Sequence, residues 1–398
     1  MTEENNKKHS HKLAIATLVG FFSLFLYGFI DNLKGPTLPL LLEDAGLSYT
    51  LGGAIQQGAY FGFLISTLIT GVLIQKFSHR KILIIASTCI FLGILSYTIS
   101  SVFPTLLIAM TIIGIGLGFL DLIGIRLIVD FNPINTGKLL NLSAFFHGFA
   151  SMLAPLFAGV LIGFGFPWSN VYRSGLIVLA VFIILTIFAP IPEKEGIRSI
   201  TTKNEPQKAV SAFRNKKAWG YYALIMSYES IEIGIAVWLN EYLQTIGGQS
   251  DRISISFLSI FFLCLMLGRL AGRFFVERIG YLKMLLLTSI GVVLCLSFGI
   301  FGPAKLIFLL PFSGFFLASI FPTATAAASK DLPTNSDMSF SLFFTFAGLG
   351  GMIGSWVVGR IADLTEMRFG FAFLILMAVN ITVMTILLMR REISEIPV

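Results

Sequence analysis

About twelve long apolar runs follow one another through this chain, at 13–42, 50–75, 82–101, 104–129, 137–164, 170–191, 218–245, 252–275, 283–301, 304–327, 338–362 and 369–389. Each is long enough for an α-helix to cross a bilayer, which takes about 20 residues. Hydrocarbon offers backbone amides and carbonyls no water, so a spanning helix must satisfy them within itself. The expected fold class is therefore an all-α integral membrane protein with twelve transmembrane helices. Composition agrees, with 12% of the residues charged against roughly 25% in an ordinary soluble domain. A soluble chain of this length would hold two or three domains, but the apolar runs override that expectation. The first run, Leu13 to Ile30, follows a basic stretch as a signal peptide does. It lacks a small-residue cleavage site and continues into a polar, Pro-containing segment from Asp31 to Pro39, so it reads as a retained first helix.

The basic residues are distributed by side. Lys7, Lys8, Lys12, Lys76, Arg80, Lys81, Lys138, Arg278, Lys283, Lys330, Arg390 and Arg391 fall on one side of the membrane. So do the seven Lys and Arg residues between Glu193 and Lys217. Only Arg173, Arg252, Lys305 and Arg368 fall on the other. Positive residues stay inside, so both termini and the 193–217 loop are expected in the cytoplasm of a cell bounded by this membrane. The net charge of +7 is then a topology signal rather than a nucleic-acid footprint.

The chain also repeats itself at an offset of about 200 residues. Gly148, Met152 and Gly159 in span five match Gly348, Met352 and Gly359 in span eleven. Gln75-Lys76-Phe77-Ser78 at the end of span two matches Glu277-Arg278-Ile279-Gly280 at the end of span eight. Tyr172-Arg173 opens span six as Met367-Arg368 opens span twelve. Two six-helix halves, 1–192 and 218–398, joined by a cytoplasmic linker at 193–217, are the pattern of a parallel-repeat transporter. Among the acids that interrupt the apolar runs are Asp31, Asp121, Glu229 and Glu232. A carboxylate at mid-membrane costs about 2.5 kcal/mol or more, so such residues face the protein interior, find a partner or carry a proton.

These strings resemble a known family. Gly71-Val-Leu-Ile-Gln-Lys-Phe-Ser-His-Arg-Lys81 resembles the loop between spans two and three of the major facilitator superfamily, with Gln75 in place of its acid and Ser78 in place of its glycine. Asp31-Asn32-Leu33, Ile55 to Gly62, Gly118 to Asp121, Leu140-Asn141-Leu142, Phe146-His147, the span-seven set Tyr228, Glu232, Trp238 and Tyr242, and Ile320 to Thr323 are similar to the fucose–galactose–hexose:proton symporters and the related sodium-dependent glucose transporters. The resemblance implies two pseudo-symmetric six-helix halves and a cytoplasmic latch. Lys76, Arg80, Glu277 and Arg278 would belong to that latch, and Arg269 is grouped with them as a gating or packing residue. Positive-inside anchoring is the simpler account of those charges.

Asp121 matches the carboxylate that the resemblance links to proton coupling. Low dielectric disfavours an ionised carboxylate, so its protonation would follow wetting of the cavity. An ion pair with Arg126 is the structural alternative. Asp31 and Lys34 share a helix face, and either form an ion pair or line the cavity. Asp31 stands about one turn before the family's coupling position, which Gly35 occupies here. Lys34 leaves room for an acidic or sulfonated substrate. Glu229, Glu232 and Trp238 fit a sugar-binding wall, since indoles cover apolar sugar faces and carboxylates take hydroxyls; interfacial anchoring is the alternative for Trp238. Gln56, Gln57, Asn141 and His147 complete a polar lining. Adjacent residues on a helix point about 100° apart, so one of Gln56 and Gln57 is expected to bind.

Other chemistries lack residues to carry them. Gly114-x-Gly116-x-Gly118 lies within an apolar run, so it reads as helix packing rather than dinucleotide binding. There is no Walker motif and no His/Cys metal pattern; Cys89, Cys264 and Cys295 read as packing residues. The expectation is a monomeric plasma-membrane secondary transporter, neither an enzyme nor cofactor-dependent. Its partners would be membrane lipid and a small-molecule substrate, with H+ as coupling ion and Na+ as the other candidate. It would import a sugar or sugar derivative. A proton-driven exporter of amphiphiles and a non-transporting membrane sensor are the rival readings.

Overall fold

The computed structural model describes residues 3–132, 136–191, 216–331 and 336–394. Within these, the side chains of 3–11, 71, 72, 75, 136–138, 141, 216, 336–341 and 392–394 also lie outside the description. Most of the expected linker therefore falls outside it, as does the Asn141 side chain.

Every described element is helical: α1 (Glu3–Asp31), α2 (Lys34–Ala45), α3 (Tyr49–Lys76), α4 (His79–Ile99), α5 (Phe103–Phe131), α6 (Thr136–Gly163) and α7 (Trp168–Phe188) in the first part. Then come α8 (Lys216–Thr245), α9 (Asp251–Ile279), α10 (Tyr281–Phe301), a 3-10 turn (Ala304–Leu306), α11 (Leu309–Leu317), α12 (Ile320–Asp331), α13 (Ser336–Leu364) and α14 (Met367–Ser394). Among the described residues, eleven segments are long and apolar enough to cross a membrane. Helix α3, 28 residues long, supplies the twelfth.

Two spans are broken, and proline explains both. The first span divides at Asn32-Leu33, between α1 and α2. Pro36 cannot donate to the Asn32 carbonyl, and its ring crowds that carbonyl, so the helix bends there. The Asn32 amide instead donates to the Gly28 carbonyl at 2.8 Å and to Ser151 Oγ at 3.0 Å. The tenth span divides between α11 and α12, where Pro322 leaves the Ala318 carbonyl without its helical donor.

The chain forms two compact units, Met1–Leu47 with Gly58–Ile200, and Ser48–Gln57 with Thr201–Val398. In the first, α1 packs on α6 and α5, and α4 packs on α5 and α7. In the second, α8 packs on α13, α10 on α11 and α12, and α10 on α14. Numbered as spans, one on five, three on four and three on six recur as seven on eleven, nine on ten and nine on twelve. The sequence repeat is thus a repeat of packing partners. Glycine makes the closest approaches possible. A Cβ at Gly114 would lie 2.0 Å from the Ala59 carbonyl, and one at Gly350 would lie 2.1 Å from the Met226 carbonyl. Lipid tails are as apolar as the helices, so close backbone packing takes over from hydrophobic burial as the force between spans.

Candidate functional site

In the first unit the polar residues gather around the break in the first span. Lys34 Nζ lies 2.7 Å from Asp31 Oδ1 and donates to the Tyr60 hydroxyl at 2.9 Å. Its side chain is 2% exposed, against 16% for Asp31. Of the two readings their spacing left open, the ion pair is present, and the ammonium is enclosed by it. On the other side of the break, the Tyr27 and His147 rings lie 4.9 Å apart. Asn32 and Ser151 join α1 to α6 beside them. Asp121 sits on α5, partly buried. Among the described residues it makes no ion pair with Arg126 or any other cation. Arg126 itself is exposed.

The second unit carries the other cluster. The Tyr228 hydroxyl donates to Glu232 Oε2, and Arg269 reaches Glu232 Oε1 at 3.9 Å. Arg269, expected among the gating residues, therefore lies beside a binding candidate. It stands ten residues inside the end of α9, about 15 Å along the axis. Opposite charges placed this deep in apolar spans lower each other's cost by meeting. Both remain partly open, at 35% and 18% exposure. Glu229 is one turn away on α8 and has partners of its own.

Trp238 is fully buried. Its indole N–H donates to the Ser355 carbonyl at 2.8 Å, and its ring stands edge-on to Tyr49 at 5.6 Å. This is neither an interfacial anchor nor an open stacking surface. The two glutamines differ as their helical angle requires. Gln57 donates to the Met352 carbonyl at 3.2 Å, whereas the Gln56 amide is completely buried with no partner among the described residues.

The latch candidates stay at helix ends. Lys76, Glu277 and Arg278 are exposed, and Arg80 donates to the Ala189 carbonyl. Glu277 helps line a cavity of about 540 Å³ with Tyr281, Lys283, Lys330 and Asp331. Among the described residues, no group of three or more His, Cys, Asp or Glu side chains is placed to hold a metal ion.

Tyr60 and Ser151 were not foreseen as partners. Tyr60 belongs to the polar string of span two, but nothing in its spacing links it to Lys34, 26 residues away. Ser151, 119 residues from Asn32, gives no local signal.

Residues 20–336 match the family model of the Major Facilitator Superfamily. The chain belongs to the major facilitator superfamily. It is a multi-pass membrane transporter and not an enzyme. Among its curated relatives is the L-fucose-proton symporter of Escherichia coli (strain K12), 22% identical over 401 residues, covering 91% of this chain and 89% of that protein. Another is the glucose/mannose transporter GlcP of Bacillus subtilis (strain 168), 25% identical over 355 residues and covering 86% of each. The nucleoside transporter NupG shares the fold, with a TM-score of 0.77 at 15% identity, covering 95% of this chain and 98% of that one.

Proposed function

We propose that this transporter imports a small neutral sugar together with a proton, by alternating access, as a monomer with both termini in the cytoplasm. The fucose and glucose/mannose relatives support the substrate class. The observation that carries the coupling reading is the contrast among Asp31, Asp121, Glu229 and Glu232. Asp31 is paired with Lys34, Glu232 with Tyr228 and Arg269, and Glu229 has partners. Of these four, only Asp121 has no hydrogen-bond or ion-pair partner among the described residues. An unpaired carboxylate in an apolar span is favoured neutral when dry and ionised when wet. Its proton therefore interacts differently with closed and open states, and only such a difference shifts an equilibrium.

The enclosure of Lys34 favours a neutral substrate over an anionic one. Its charge is already met by Asp31, and its side chain is 2% exposed. In the second unit, Glu232 and Arg269 offer the acceptor and donors that hydroxyl groups need. Trp238 would support that wall from behind, through Tyr49 and Ser355.

The test is reconstitution in proteoliposomes with a panel of neutral and acidic sugars, reading proton uptake on sugar addition in the presence and absence of Na+. Neutral sugars should drive proton entry without Na+. Flux only with Na+ would overturn the coupling ion, and amphiphile-dependent flux in the opposite direction would overturn import. Asp121→Asn should abolish accumulation driven by a pH gradient while leaving sugar exchange at equal concentrations intact. Accumulation at the parent level would eliminate Asp121 as the proton carrier.

A further inference from the structure

The first turns of α3 are held in an unusual way. Residues 48–57 belong to the second unit, and the same helix continues from Gly58 into the first. The attachment begins at Asp363, near the end of α13. One carboxylate oxygen accepts the Tyr49 backbone N–H at 2.9 Å, and the other accepts that of Thr50 at 2.6 Å. These amides open a helix, so they have no acceptor within it and sit at its positive end. A carboxylate 313 and 314 residues away in the chain fills both. The Tyr49 hydroxyl donates to Glu241 Oε1 at 2.6 Å. Its ring meets Trp238, which is tied to the Ser355 carbonyl. Gln57, the last residue of the segment, closes the set on the Met352 carbonyl.

We propose that Asp363 is the hook of a releasable clasp. It docks the first turns of α3 on α8 and α13, and it must let go whenever the transporter exposes its interior to the outer face. The inference rests on the alternating-access reading and on the topology drawn from the basic residues. That topology puts the Lys76 end of α3 and the Lys330-proximal end of α13 in the cytoplasm, so the Tyr49 and Asp363 ends face outward. Two features make the clasp releasable rather than a permanent seam. Asp363 and its two amide contacts are exposed, so water takes over the two bonds that Asp363 gives up. And the helix belongs to the second unit only as far as Gln57, so a rearrangement of its longer part pulls on this end.

The test reads a cysteine at the clasp. In a background with Cys89, Cys264 and Cys295 replaced by alanine, Thr50→Cys is labelled from outside whole cells with a membrane-impermeant maleimide, without sugar or a proton gradient. The Thr50 hydroxyl is buried, so the parent should react slowly. Asp363→Ala should raise the rate about tenfold, the scale of a charge bonded at a helix end, with Asp363→Asn in between. Tyr49→Phe, which cuts only the tie to Glu241, should raise it in the same direction. Rates within about twofold of the parent in Asp363→Ala and Tyr49→Phe, with unchanged melting temperature, would overturn the clasp. A lower melting temperature in Asp363→Ala without faster labelling would make Asp363 a structural cap only, and would overturn it equally. If Asp363→Ala fails to reach the membrane, Tyr49→Phe decides. Because no sugar enters the assay, failure of the sugar assignment would leave this result standing, and failure of the clasp would leave the sugar assignment standing.

Discussion

Lys34→Met is the sharpest perturbation of the first unit. Methionine keeps most of the length of the lysine stem but removes the ammonium that meets Asp31 at 2.7 Å and Tyr60 at 2.9 Å. Removing one partner of a buried pair costs about 3–5 kcal/mol, because the other charge stays behind. Asp31 is 16% exposed, so water reaches the carboxylate left behind and that figure falls to about 2 kcal/mol. The lost bond to Tyr60 adds about 1 kcal/mol. The expected loss for Lys34→Met is therefore about 3 kcal/mol.

Asp31→Asn should cost a similar amount, since it strands an ammonium that is 2% exposed. The double variant Asp31→Asn/Lys34→Met removes both charges and should cost less than either single change. The coupling energy of the cycle should be about 2 kcal/mol or more. Equilibrium unfolding by SDS titration in mixed micelles measures all four proteins. Singles that cost under about 0.5 kcal/mol, or a double equal to their sum, would refute the claim that the pair is a closed unit. Transport assays supply the counterpart. If Lys34 instead reads a substrate anion, Lys34→Gln should weaken acidic sugars selectively; the enclosed pair predicts equal losses for acidic and neutral ones.

Two further outcomes follow from packing. Gly114→Ala puts a Cβ 2.0 Å from the Ala59 carbonyl, so overpacking should cost about 1–3 kcal/mol in the same titration; Gly163→Ala, with nothing within 4 Å, is the control and should be near neutral. Trp238→Phe loses the bond to Ser355 and part of a buried ring, so it should cost about 1–2 kcal/mol of stability with little change in sugar KM. A raised KM at unchanged stability would instead place the indole against the sugar.

What was legible in the sequence follows the range of the forces involved. The spans, their order and the repeat are written in runs of apolar residues and in glycine spacing, and the packing of span one on five and seven on eleven reproduces that repeat. Asp31 and Lys34 are three residues apart on one face, so the sequence offered pairing as one of two readings. Contacts made across helices were not legible. Glu232 and Arg269 are both visible as charges in apolar runs, but whether they meet depends on how α8 and α9 are set against each other, which no local pattern encodes. Trp238 shows the same limit: an indole at that position fits a cavity wall, an interface or a core, and the Ser355 carbonyl decides among them. Asp363 is the extreme case. In the sequence it is one charge at the end of a span, next to a loop, where charges are cheap and common. Its significance appears only when the two amides it fills are found to open a helix more than 300 residues earlier. In a membrane protein the cost of a stranded charge favours a partner for each buried ion, so a charge in an apolar run is a signal to look for one. Only the tertiary packing says which one, and in this transporter those choices join Asp31 to Lys34 and Glu232 to Tyr228 and Arg269.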